Sequence, residues 1–123
     1  MKNKVWLITG ASKGMGLSLA KKLLAQGYRV AATSRNAQNL SDAVGEFDNT
    51  QFLPLEVNLT DETSVQKAVQ QTEAQFGQID VLVNNAGYGI GGAVEELSAE
   101  EIAASFDINV FAVVKTMQAV MPY

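Results

Sequence analysis

The sequence predicts an α/β protein: a doubly wound parallel sheet covered by helices on both faces, three αβα layers in all. Two observations lead there. Short apolar runs alternate along the chain with stretches whose apolar residues recur every three or four positions. Glycines stand where those stretches stop, and a glycine-rich turn joins the first run to the first stretch. Strands separated by helices pair in parallel, because parallel neighbours need a crossover, and such crossovers are right-handed.

Residues 4–9, Lys-Val-Trp-Leu-Ile-Thr, read as a first strand buried on both faces. After the turn, Leu17, Ala20 and Leu24, with Leu19 and Leu23, predict a helix running from Gly16 and ended by Gly27. Tyr28 to Ser34 is a second strand, Asn36 to Phe47 a shorter helix, and Gln51 to Val57 a third strand whose Pro54 suits a sheet edge. Thr60 or Asp61 caps the next helix, whose buried stripe is Val65, Val69, Thr72 and Phe76, and Gly77 stops it. Ile79 to Asn84 is a fourth strand, followed by a loop rich in glycine (Gly89, Gly91, Gly92). Ser98 and Glu101 have capping-box spacing. A last helix, from about Ser105 to Met121, carries Phe106, Val110, Val113, Met117 and Val120 on one face, with Phe111 and Val114 beside them. No linker or low-complexity segment divides the chain, so residues 1–123 read as one domain.

The 123 residues are 47% hydrophobic and 18% charged, the balance of an ordinary globular domain rather than a disordered one. There is no cysteine and no histidine. That excludes a disulfide framework, a thiolate metal site and a thiol nucleophile, and removes the commonest general base, so no metal site is expected. The start, Met1-Lys2-Asn3-Lys4, resembles a signal peptide only until Thr9-Gly10 interrupts the apolar run, and no run approaches a membrane span. A cytoplasmic protein with neither a membrane nor a nucleic acid as partner is the expectation. Charge is uneven: up to position 35 there are seven cations and no acid, whereas beyond it only Lys67 and Lys115 oppose all 13 acids. The N-terminal third is built to attract an anion.

The anion is indicated by Thr9-Gly10-Ala11-Ser12-Lys13-Gly14-Met15-Gly16, placed between strand and helix. Glycines there let the backbone turn sharply and approach a pyrophosphate, while the N–H groups at the helix start face it. The spacing resembles the Thr-Gly-x-x-x-Gly-x-Gly turn of the short-chain dehydrogenase/reductase family. Three further segments agree in order: Asn58-Leu59-Thr60-Asp61, the Asn84-Asn85-Ala86-Gly87 signature, and Asn109 within Asp107-Ile-Asn-Val-Phe. The resemblance implies a Rossmann-type fold, cut short here after the fourth strand and its following helix, where a complete one has about six strands. It also implies Gly10, Ser12, Lys13, Gly14, Met15, Gly16, Ser34, Arg35, Asn58, Leu59, Asn85, Ala86 and Gly87 as cofactor-binding residues. Asn109 is implied as the helical member of a catalytic tetrad, anchoring a water toward a lysine. Asn84 and Asn85 have a structural reading too, as turn residues that hold the end of the fourth strand.

A site of this kind that prefers NAD(H) carries an acid about 20 residues beyond the glycines. Here the second strand ends in Thr33-Ser34-Arg35-Asn36, with Lys13 in the turn, so NADP(H) is favoured over NAD(H). The resemblance implies interconversion of a carbonyl and an alcohol by hydride transfer, on a small-molecule substrate, and a homo-oligomer joined through the last helix. The family's serine and Tyr-x-x-x-Lys are absent: none of Tyr28, Tyr88 and Tyr123 has a lysine four places on. The chain as it stands is therefore expected to be inactive. One other reading stays open, a nucleotide-binding or assembly module without catalysis; an unrelated methyltransferase sharing only the glycine turn is set aside, because it has no reason to combine Asn84-Asn85-Ala86-Gly87 with an arginine placed for a 2′-phosphate.

Overall fold

The computed structural model describes residues 4–11, 14–45, 47–85, 98–100, 103 and 111–122. Within them the order is β1 (Val5–Ile8), α1 (Gly14–Ala25), β2 (Arg29–Ser34), α2 (Ala37–Val44), β3 (Phe52–Glu56), α3 (Glu62–Phe76), β4 (Val81–Val83) and α4 (Ala112–Val120). The strands form one sheet in the order β3-β2-β1-β4, every pairing parallel. The expected α/β class and parallel sheet are present, and β3 is at an edge. There the missing N–H of Pro54 is tolerated, because among the described residues β3 pairs only with β2.

Alternation along each strand sends side chains to opposite faces. Val5 and Leu7 of β1, Ala31 of β2 and Leu55 of β3 pack on one face with Val65, Ala68, Val69 and Phe76 of α3. Ile8, Val30, Ala32 and Phe52 pack on the other with Ala20, Leu23 and Leu24 of α1 and Leu40 and Val44 of α2. Two cores therefore enclose the sheet, and its two central strands lie deepest, with Val5, Leu7 and Ile8 of β1 and Val30, Ala31 and Ala32 of β2 all fully buried. The α3 stripe read from the sequence (Val65, Val69, Thr72, Phe76) is buried as a set. Thr72 satisfies its hydroxyl by donating to the Ala68 carbonyl at 2.8 Å.

Several boundaries differ from the sequence-based expectation. α1 begins at Gly14, two residues before Gly16. α2 stops at Val44 rather than Phe47, because Gly45 turns out of the helix with φ 96. Of the two caps expected for α3, Asp61 is the one used, accepting from the Thr63 N–H at 3.0 Å. β4 is three residues rather than six, although Ile79 just before it is buried. The last helix has the expected period but a different phase. Its packed side is Ala112 and Thr116, with Ala119 and Val120 against the α3 core, whereas Phe111, Val114, Met117 and Met121 are exposed. Met117, placed by its spacing on one face with Val113 and Val120, is 49% exposed. Glu101, Ser105, Phe106 and Val110 lie outside the described residues.

Candidate functional site

Because all four strands are parallel, their carboxyl ends meet at one edge of the sheet, where doubly wound proteins bind ligands. The β1–α1 turn lies at the middle of that edge. Gly10 and Gly14 both take φ 65, a left-handed value that a side chain disfavours. Gly16 answers a different need. A Cβ there would stand 2.5 Å from Asn85 Nδ2, 2.7 Å from the Gly10 carbonyl oxygen and 3.1 Å from Ala11 Cα, so α1 starts hard against the turn. Met15, beside it, is 82% exposed. The first turn of α1 contains no acid, and the N–H groups at a helix start have no partner within the helix. Ser12 and Lys13 lie outside the described residues.

The turn is fastened from both neighbouring strands. From β2, the buried Thr33 accepts the Gly10 N–H on its hydroxyl at 3.3 Å, and its carbonyl accepts the Ala11 N–H at 3.0 Å. From the end of β4, Asn85 Nδ2 donates to the Gly10 carbonyl at 2.9 Å, while its own N–H donates to Thr9 Oγ1 at 3.1 Å. Thr9 N–H in turn reaches the Val83 carbonyl at 3.1 Å. Asn85, expected at the cofactor, thus has its amide nitrogen engaged in holding the turn. Thr9 and Thr33 were not among the expected site residues. The one trace of Thr33 in the sequence is a hydroxyl at the end of the apolar stretch Val30 to Ala32.

The ends of β2 and β3 make the second half of the edge. Ser34 Oγ accepts the Asn36 N–H at 3.3 Å, and Asn36 Oδ1 accepts the Asn39 N–H at 3.1 Å to cap α2. Arg35, between them, is exposed. Glu56 is paired in register with Ser34, and its Oε1 accepts the Ala37 N–H at 3.3 Å. Sequence reasoning missed Glu56, which stands 22 positions from Ser34 and is brought beside it only by the sheet register. Asn58 Oδ1 accepts from both the N–H and the hydroxyl of Thr60, at 3.1 Å and 2.7 Å, and its N–H donates to Ser64 Oγ at 3.0 Å. Leu59 packs partly into the α3 core.

The described members of the expected set, Gly10, Gly14, Met15, Gly16, Ser34, Arg35, Asn58, Leu59 and Asn85, therefore all fall on the carboxyl edge. Ala86, Gly87 and Asn109 lie outside the described residues. Elsewhere, an open depression between α2 and β3 is lined by Ser41, Phe47, Asp48 and Phe52, at the other end of α2. Asp48 there is held below the ordinary aspartate range by the Thr50 hydroxyl first and by backbone N–H groups second. Among the described residues no helix is long and apolar enough to cross a membrane.

Comparison with known proteins agrees with this geometry. The family profile for short chain dehydrogenases matches residues 4–123. A 3-ketodihydrosphingosine reductase from Bacteroides thetaiotaomicron is 42% identical over 123 residues, which is 100% of this chain and 43% of that protein. Among solved structures, a short chain dehydrogenase from Burkholderia cenocepacia in complex with NADP superposes with a TM-score of 0.88 at 32% identity, covering 99% of this chain and 51% of that one. A 3-ketoacyl-(acyl-carrier-protein) reductase from Brucella melitensis complexed with NADH gives 0.87 at 31% identity, covering 97% and 49%. The chain spans about half the length of the relatives it matches.

Proposed function

The chain belongs to the short chain dehydrogenase family, and on that premise we propose that it supplies the nucleotide half of an NADP(H)-dependent oxidoreductase that interconverts a carbonyl and an alcohol on a small molecule. The observation that carries this reading is the β1–α1 turn. Its left-handed Gly10 and Gly14 open onto the acid-free start of α1, and Arg35 stands exposed at the end of the next strand. These residues suit a dinucleotide: the turn and helix start take the pyrophosphate, and Arg35 meets a ribose 2′-phosphate. Asn58 and Leu59 flank the adenine, and Asn85, Ala86 and Gly87 are assigned to the cofactor as well. When bound, the cofactor supplies or accepts the hydride, and the protein's part is position and a proton path. Asn109 belongs to that path as a water-anchoring residue. The 123 residues contain no Tyr-x-x-x-Lys, so by themselves they bind nucleotide without turnover.

Solved relatives hold either cofactor, so the preference rests on this chain's own side chains. One exposed guanidinium gripping a phosphate is worth roughly tenfold, about 1.4 kcal/mol after allowing for solvent screening. Calorimetry with NADP⁺ and NAD⁺ tests it: NADP⁺ binds more tightly, and Arg35→Asp inverts the order. Equal affinities in the unmutated protein would overturn the preference. The homo-oligomer is assigned to α4, whose Phe111, Val114, Met117 and Met121 form an exposed apolar strip. The same strip favours the second reading, an assembly module, should no nucleotide bind.

A further inference from the structure

We propose that Glu56 limits how strongly this site separates a 2′-phosphate from a 2′-hydroxyl, acting from the neighbouring strand as a built-in competitor of the phosphate. The inference rests on the reading of Ser34 and Arg35 as the part of the site that meets the adenosine ribose. Sequence spacing places no acid near the end of β2, but the parallel register does: Glu56 is the residue opposite Ser34, one step from Arg35. Glu56 is exposed, but its carboxylate is tied to the opening of α2, where Oε1 accepts the Ala37 N–H at 3.3 Å.

That hydrogen bond matters because of what else is occupied. Around Arg35 the Asn36 N–H goes to Ser34 Oγ and the Asn39 N–H to the Asn36 side chain, both neutral acceptors inside the same short segment. The Ala37 N–H is the donor given to a full negative charge, and that charge comes from another strand. A phosphate arriving at the segment from Ser34 to Ala37 meets a carboxylate already hydrogen-bonded to that segment, and is repelled by a like charge. A ribose hydroxyl meets the same carboxylate without repulsion and can donate to it. Arg35 and Glu56 therefore act in opposite directions on cofactor choice, and the preference is the difference between them.

Adenosine 2′,5′-bisphosphate and adenosine 5′-monophosphate, which probe this end of the site alone, separate the possibilities by calorimetry on the wild type, Glu56→Gln and Glu56→Ala. The glutamine keeps an oxygen for the Ala37 N–H and removes only the charge. Glu56→Gln is expected to tighten the bisphosphate by roughly two- to fivefold, the scale of one exposed charge pair, and to leave the monophosphate unchanged. Raising salt to about 0.5 M should erase most of that gain, because the screening length shrinks to a few ångströms. An unchanged affinity ratio in Glu56→Gln, with Glu56→Ala weakening both probes equally and lowering Tm, would reduce Glu56 to a helix cap and overturn the inference while the nucleotide site stands. Failure of the wild type to bind either probe would overturn the nucleotide site itself, and the role of Glu56 with it.

Discussion

Gly16→Ala places one methyl where three atoms already stand. At 2.7 Å the Gly10 carbonyl is backbone and cannot swing aside, and the Asn85 amide nitrogen at 2.5 Å is tied to that same carbonyl. Relief requires α1 to move off the turn and Asn85 to loosen its hold on Gly10. Releasing it forfeits a hydrogen bond worth about 1 kcal/mol, and forcing a methyl into packed surroundings costs about 1–3 kcal/mol. Alanine returns about 1 kcal/mol of helix propensity. The net destabilisation is about 1–3 kcal/mol, which for a domain of this size lowers Tm by roughly 4–12 °C. Gly14→Ala is the control, since a Cβ there meets nothing within 4 Å and only the positive φ resists, at about 1–2 kcal/mol. Thermal melts followed by circular dichroism, with NADP⁺ binding in parallel, distinguish the two. Gly16→Ala should lose both stability and binding, and Gly16→Ala combined with Asn85→Ala should be less destabilised than the sum of the singles. A Gly16→Ala protein that melts with the wild type and binds NADP⁺ normally would refute the close-packing account of this glycine.

Removing the α3 cap with Asp61→Ala should cost about 1 kcal/mol, measured by urea unfolding, because the Thr63 N–H loses its acceptor. Asp48 should titrate below the ordinary aspartate range by NMR, and Thr50→Val should return it toward that range. Because its folded-state value is depressed, the stability it adds is present above the unfolded value and is lost as pH falls through the folded one. Replacing Val114 and Met117 together by lysine should shift sedimentation toward monomer, and a wild type that is monomeric at high concentration would remove α4 as an interface. With NADPH and a panel of aldehydes and ketones, the 123-residue chain should show no turnover above background.

What the sequence made legible was local. The α3 stripe, the glycine turn and the edge position marked by Pro54 each follow from the spacing or torsion of a few adjacent residues, and all three stand in the structure. The phase of α4 was less legible, because apolar residues occupy more than one of its faces and spacing alone does not say which meets α3. Contacts between distant residues were not legible at all. Thr33 meets Gly10 across 23 positions, Asn85 meets it across 75, and Glu56 meets Ala37 across 19. Each depends on a strand order that periodicity does not encode. Glu56 shows the consequence most clearly, because a count of acids along the chain beyond the glycines overlooks one delivered sideways by the ladder.

The fastening of Gly10 from two sides makes the glycine turn a keystone between strands that do not pair with each other. β2 and β4 are separated by β1, yet Thr33 and Asn85 both grip the same residue, Gly10, one at its N–H and the other at its carbonyl. A nucleotide that requires this turn in its native shape stabilises both attachments without touching either strand's interior, by mass action on the folded turn. Occupancy at the edge should therefore be felt in amide exchange at Thr9 and Asn85, and by extension along β4, the short outer strand whose three residues are all only half-buried. In such a sheet the ligand behaves as a distant clamp on β4.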